Sequence, residues 1–291
     1  MIKLTAIQLC STPNVENNLK AIKHQLHQLT NTDKPLEPNA KCCTCHIVVL
    51  PECCLFFGGK DSEQLTLAQH TAQSSQLINE LSLLAKAFKV TLVAGTIPLL
   101  ASCGQKFTNS SCVFSPTGAL LAQYDKIHLF DVDVSDQSKQ YRESNYTQAG
   151  QSLALISTPE LTIGLSVCYD VRFAALYQKL RQQGADIITV PSAFTRVTGK
   201  AHWQALLQAR AIENQVYIIA AGQEGLHANG RETWGHSMII SPWGEILDCI
   251  ETGEGFITTE YHQNEINRIR AAMPVQAHNK FKVELKIYDQ C

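Results

Sequence analysis

Long apolar runs are missing from this chain of 291 residues, and none approaches the ~18 that a membrane-spanning helix requires. No membrane role is therefore expected. A basic face is missing too: the formal net charge is −2, and Lys and Arg are not gathered into a stripe. That excludes a general nucleic-acid or membrane-surface function from the expectation. No internal repeat, low-complexity tract or phosphate-loop spacing is present. Met1-Ile-Lys-Leu-Thr-Ala-Ile-Gln-Leu9 starts as an alternating strand, without the charged n-region and long apolar h-region of a secretory signal. A soluble, cytoplasmic protein is expected, of one large domain or two small ones.

Cysteine is what the chain has in excess. Eleven is an odd number, and the chain is long and regular where a secreted disulfide scaffold is short and loop-rich. Cys42-Cys-Thr-Cys45-His46 followed by Cys53-Cys54 resembles a metal-ligand cluster, but no second CxxC pair follows. His46 also begins a strand, where alternate side chains face opposite ways. Reduced thiols with no metal and no cofactor are expected.

One of these cysteines stands apart. Residues 161–168 read as a mostly apolar strand, and 172–180 as an amphipathic helix with Phe173, Leu176, Tyr177 and Leu180 at helical spacing. Cys168 lies at the turn between them, where a helix N-terminus favours a thiolate and a developing oxyanion. The alternative is a buried cysteine acting as a small hydrophobe. Two more segments end in chemistry: Ile47-Val-Val-Leu-Pro-Glu52 delivers a carboxylate, and Tyr124-Asp-Lys126 an ammonium after the strand from 119. A nucleophile, a base and an electrostatic stabiliser are the parts of covalent acyl transfer.

Strand and helix signals alternate along the rest. Strands are predicted at 3–8, 47–52, 91–94, 107–114, 119–123, 187–190, 216–221, 237–240, 245–250 and 256–259. Helices are predicted from Val15, capped by Asn14, to Leu29, and at 77–88. Residues 125–150 are polar and long for a loop in a compact domain, which favours a functional role. The pattern alone gives an α/β domain of mixed sheets covered by helices.

With these motifs in place, the chain resembles the nitrilase superfamily of carbon–nitrogen hydrolases, whose Glu-Lys-Cys triad lies in segments like LPE, DK and CYD. The resemblance runs from Lys3 to His278 and includes Tyr141-Arg-Glu143-Ser, Pro191-Ser-Ala-Phe-Thr195, Gly199-Lys-Ala-His-Trp203, Gly235-His-Ser-Met238 and Ser241-Pro-Trp-Gly244. It is strongest to the Nit branch, which includes deaminated glutathione amidases and ω-amidases. The chain departs from that branch at Ala174-Ala175, where Pro-Glu is usual, and at Cys53-Cys54, where an aromatic is more usual.

The resemblance implies a four-layer αββα sandwich over residues 1–291, with 262–291 as a tail contributing to a homodimer interface. It implies Glu52 as base, Cys168 as nucleophile, Lys126 with the Tyr169 N–H as oxyanion contacts, and Glu143 orienting the lysine. The implied substrate is a small-molecule amide: deaminated glutathione, or 2-oxoglutaramate in the ω-amidase alternative. Phe194 and Thr195 fall in the pocket motif. A carboxylate on the acyl half calls for a cation, with Arg172 the first candidate, unless it pairs with nearby acids, and Arg196 the second. A histidine base for Cys168 is the rival mechanism, and a catalytically silent scaffold or an amine acyltransferase on the same fold are the rival functions.

Overall fold

The computed structural model describes residues 1–32, 45–135 and 140–286. The chain opens with β1 (Ile2–Gln8), then α1 (Val15–Thr32), β2 (Cys45–Val49), α2 (Asp61–Thr71), α3 (Gln76–Phe88) and β3 (Thr91–Val93). β1, β2 and β3 pair in parallel. An antiparallel meander follows, β4 (Ile97–Leu100), β5 (Phe107–Phe114) and β6 (Leu120–Asp125), joined to β3 through β5. A short hairpin of β7 (Asp131–Asp133) and β8 (Gln140–Arg142) leads into a 3-10 turn at Glu143–Asn145.

The second sheet takes β9 (Leu155–Ser157), β10 (Thr162–Leu165), β11 (Ile187–Thr189) and β12 (Tyr217–Ala220), with α4 (Ala174–Gln182) and α5 (Arg196–Asn214) as the crossovers on either side of β11. A small hairpin, β13 (Glu224–Leu226) with β14 (Glu232–Trp234), precedes β15 (Ser237–Ile240) and β16 (Ile246–Ile250), which complete this sheet. β17 (Gly255–Glu260) returns to the first sheet, antiparallel to β1. The chain then forms α6 (Gln263–Ala272) and α7 (Val275–His278).

The strand period of two sorts the first sheet's side chains between two cores. Leu4, Ala6, Ile47, Val49, Val93 and Val113 pack against Ile163, Leu165, Ile187 and Ile218 of the other sheet. Their sequence neighbours Ile7, Val48, Leu92, Cys112 and Phe114 point the other way, onto α1 and α3. In α1 the inward stripe is Ile22, Leu26 and Leu29, and in α3 it is Leu77, Leu81 and Leu84. On the far side, Leu176, Tyr177 and Leu180 of α4 and Trp203, Leu207 and Ala211 of α5 cover the second sheet. Helix, sheet, sheet and helix are thus stacked, as the αββα expectation requires.

Local chemistry explains the boundaries. Asn14 Oδ1 accepts from the Asn17 N–H at 2.9 Å, giving α1 its expected cap. Thr195 caps α5 by accepting from the Thr198 N–H, so Arg196 is the first residue of that helix and not part of a loop. β2 stops at Val49, and the helix expected from 172 starts at Ala174. The expected thiol at a strand-to-helix turn becomes a thiol at the start of a 3-10 turn, Cys168–Arg172. Among the described residues no helix is long and apolar enough to cross a membrane.

The tail divides in two. α6 belongs to the domain: Ile266 and Ile269 are buried, and Arg270 Nη1 bonds Asp186 at 2.7 Å. Beyond it Met273, Val275, Phe281 and Leu285 are exposed.

Candidate active site

Strand ends at one edge of the sandwich gather the predicted chemistry. Glu52 lies three residues after β2, Lys126 directly after β6, and Cys168 three residues after β10. All three are buried: Lys126 is 2% exposed, Glu52 4% and Cys168 7%. The lysine ammonium donates to Glu52 Oε1 at 2.9 Å and to Glu143 Oε2 at 2.8 Å. Asn109, inside β5, bridges the same carboxylates through its amide, at 2.9 Å to Glu52 and 3.1 Å to Glu143. The Ala193 N–H fixes Glu52 Oε2 at 2.9 Å, and the Phe130 N–H fixes Glu143 Oε2 at 2.7 Å. The Cys168 thiol shares the cleft wall with Glu52 and feels its charge.

Two buried carboxylates around one ammonium decide the resting protonation. Burial alone would raise Glu52, but the Lys126 charge and the hydrogen bonds to it outweigh that and hold the carboxyl below its usual range. Burial alone would lower Lys126, and Glu143 and Glu52 together hold it well above its usual range. Cys168 moves the other way from the sequence expectation. Burial and then the Glu52 charge push its thiol well above the usual range. The turn that was expected to favour a thiolate is a 3-10 turn of five residues, too short to offset that burial. The resting site therefore holds a thiol beside a carboxylate.

Backbone strain and close packing set the positions. Cys168 is left-handed, with φ +47°, and its N–H is taken by Pro191 O at 2.8 Å. The N–H of the next residue, Tyr169, lies in the first turn, where the 3-10 pattern supplies no acceptor. Gly95, with φ +53°, sits so close to the Glu52 turn that a Cβ there would meet Pro51 O at 1.9 Å. The buried Asp170 ties the lysine strand to the cysteine turn. Its carboxylate accepts from Tyr124 Oη at 2.8 Å and the Val167 N–H at 2.9 Å, and holds His128 Nδ1 at 2.7 Å. His128 stacks on Phe173 at 3.6 Å, so it serves the scaffold and is not aimed at the thiol.

A cleft opens over these groups. Glu52, Lys126, Glu143, Cys168, Tyr169, Phe194 and Thr195 all line it. Arg172 and Arg196 do not. Arg172 lies against the Tyr169 and Phe194 rings and contacts His202 Nδ1 at 3.3 Å, and has no acid partner among the described residues. Arg196 turns to Glu232 at 3.1 Å and Glu224 at 3.9 Å. The cations on the cleft wall that sequence reasoning did not single out are Arg142 and Arg231. Asn109 was likewise missed; the one signal for it is an amide in a strand that must be buried.

The departures from the family pattern now have places. Cys53 lines the cleft and Cys54 is buried in the core beneath α1 and α3. Ala174 and Ala175 face a separate groove with residues 283–286, away from the thiol. Cys42 and Cys43 lie outside the described residues; the eight described cysteines are free thiols, and no group of three or more metal-ligand side chains occurs among the described residues.

Residues 3–271 match the carbon–nitrogen hydrolase family. The chain belongs to that family. It is 40% identical to deaminated glutathione amidase of Yersinia enterocolitica over 94% of its own length and 92% of that protein's. The corresponding Synechocystis protein, of the same name, is 39% identical over 95% of this chain and 97% of its own. Among solved structures, Saccharomyces cerevisiae Nit3, a member of branch 10 of the nitrilase superfamily, is 30% identical with a TM-score of 0.81, over 96% of this chain and 97% of that one. The C. elegans NitFhit protein, of which this chain spans 65%, is 32% identical with a TM-score of 0.81 over 96% of this chain. Family membership makes this an amidase of the nitrilase superfamily.

Proposed function

We propose that this chain hydrolyses the amide bond of deaminated glutathione, releasing 2-oxoglutarate and Cys-Gly through a thioester on Cys168. One observation carries the reading: Glu52, Lys126 and Cys168, all buried, come together on the wall of one cleft, with the Lys126 ammonium 2.9 Å from the Glu52 carboxylate. The names borne by its relatives in Yersinia and Synechocystis supply the substrate.

The steps follow from the protonation state. Glu52 takes the thiol proton as Sγ attacks the carbonyl carbon, and the carbonyl π electrons move to oxygen. Lys126 has three N–H donors and commits two to carboxylates, so the third is available to the oxyanion together with the Tyr169 N–H. The intermediate collapses, the C–N bond breaks, and the protonated Glu52 gives its proton to the departing amine. Water then enters, Glu52 takes its proton, the hydroxide oxygen bonds the acyl carbon, and the C–S bond breaks with the proton returning to sulfur. Glu143 and Asn109 keep the lysine and the base in register.

The substrate reading is tested by comparing kcat/KM for deaminated glutathione with that for 2-oxoglutaramate. A preference for the larger amide is expected. Preference for 2-oxoglutaramate, or for a neutral aliphatic amide, would overturn the substrate and leave the amidase chemistry in place. The exposed apolar side chains of 273–286 support the further proposal of a homodimer that uses this tail. Light scattering on a chain ended after Ala272 is expected to show a monomer where the full chain is a dimer.

A further inference from the structure

We propose that Arg231 is the receptor for a carboxylate of the amide substrate, an assignment that rests on the proposed amidase reading. Four other cations in the region are unsuited to that task. Lys126 is neutralised by two carboxylates, and Arg142 donates to Val132 O, Tyr141 O and Asp133. Arg172 and Arg196 lie off the cleft wall. Arg231 is on that wall, in the loop between β13 and β14, and its guanidinium has no ion pair or side-chain hydrogen bond among the described residues.

The surroundings keep it that way. The acids nearest in the hairpin, Glu224 and Glu232, are both engaged by Arg196. Two aromatic rings hold the guanidinium instead, Phe57 at 5.0 Å and Tyr141 at 4.8 Å from the ring centroids. Its Nε is buried without a hydrogen-bond partner, an arrangement that asks for an acceptor. Rings orient a planar cation without neutralising it, which leaves the N–H fork for a carboxylate. The hairpin is anchored from behind, because His227 bonds Ser11 O at 3.1 Å and Thr233 Oγ1 at 2.7 Å.

Deaminated glutathione has a carboxylate on the acyl half and another on the Cys-Gly half, and the same fork fits either. Arg231→Gln is therefore compared with the parent enzyme on deaminated glutathione, on its glycine-carboxamide analogue, on succinamate and on butyramide. The KM for deaminated glutathione is expected to rise about 10- to 100-fold, the loss falling on KM more than on kcat. Butyramide should lose far less. If the acyl carboxylate is the partner, succinamate shows the same rise. If the leaving half is, parent and variant converge on the carboxamide analogue. Arg231→Lys should recover part of the loss, which a folding defect would not allow. Calorimetry on the Cys168→Ala background gives a readout without turnover: Arg231→Gln should weaken either 2-oxoglutarate or Cys-Gly. Equal losses on anionic and neutral amides, a fall in kcat at constant KM, or unchanged binding of both products would overturn the assignment. Turnover of succinamate without turnover of deaminated glutathione would sink the substrate reading alone, and Arg231 would still be judged on succinamate.

Discussion

Two cysteines face the same cleft from turns of the same hand, and only one has a base. Cys53 (φ +55°) and Cys168 (φ +47°) are both left-handed, 8% and 7% exposed. Burial first and the Glu52 charge second push both thiols well above their usual range. Neither is activated at rest, so a lowered thiol pKa is not what separates them. The separating feature is the side chain each thiol meets. The Glu52 carboxylate acts directly on the Cys168 thiol, whereas Cys53 Sγ meets Gln64 Oε1 at 3.9 Å and Thr96 Oγ1 at 4.0 Å, although it is the next residue to Glu52 in the chain. On the proposed mechanism, nucleophilicity is created during the reaction, by proton transfer to Glu52.

The strongest test of that contrast exchanges each thiol in turn. Cys168→Ala should cost more than about 10⁴-fold in kcat, because the nucleophile and the route of the reaction are both gone. Cys53→Ala should stay within a few-fold. Peptide mapping of a trapped acyl adduct should find it on Cys168, and an adduct on Cys53 would break the comparison.

Next come the base and its cation. Glu52→Gln should approach the loss at Cys168, since both proton transfers pass through it. Lys126→Met should cost about 10²–10³ in kcat, the size of a lost oxyanion contact. It also removes the largest influence holding Glu52 low, so the acid limb of kcat/KM should move up towards neutrality. In the parent, that limb should lie below the ordinary carboxylate range. The sign for stability is the same: a depressed carboxyl contributes fully above its unfolded pKa, and that contribution is lost as pH falls through the lower folded value. An unchanged limb in Lys126→Met would refute the electrostatic account.

Glu143→Gln should be milder, roughly ten-fold, because Glu52, itself fixed by the Asn109 amide, still holds the lysine while one charge is lost. A parent-like rate would mean that Glu143 only closes the cleft wall.

The smallest effect concerns the support of the Cys53 turn, where Phe57 meets the His227 ring edge at 4.5 Å. Burial lowers the His227 pKa to about 4. The unfolded chain binds this proton first, so stability should fall as pH drops from about 6.5 to about 4, by up to about 3 kcal/mol. Melting of His227→Asn across that range should be flatter than the parent, with kcat at neutral pH changed little. A parallel pH dependence in both would remove His227 as the cause.

Much of the frame was legible in the chain. Strand alternation and the stripes of α1 and α3 are direct records of what faces a core, and they were read to within a few residues. α2 was missed because it has no apolar stripe to read, burying only Ala68 and Thr71. β4 was missed because Pro98 sits inside it, which an edge strand tolerates. The polar stretch after Asp125 was suspected of function for its length. Its folding into β7, β8 and a 3-10 turn that returns Glu143 to Lys126 left no periodic trace.

The sequence by itself placed Glu52, Lys126 and Cys168 at strand ends, because each follows a strand whose pattern marks its end, and strand ends are where a sandwich gathers polar groups. Tertiary structure alone decided which charges remain spent and which free. Arg196 closes on Glu232 and Glu224, Lys126 on Glu52 and Glu143, and Arg231 on two rings, one of them Phe57, far away along the chain. The thiol's protonation was decided there too. Desolvation depends on everything packed around an atom, and a linear pattern records only what lies one turn or one strand away.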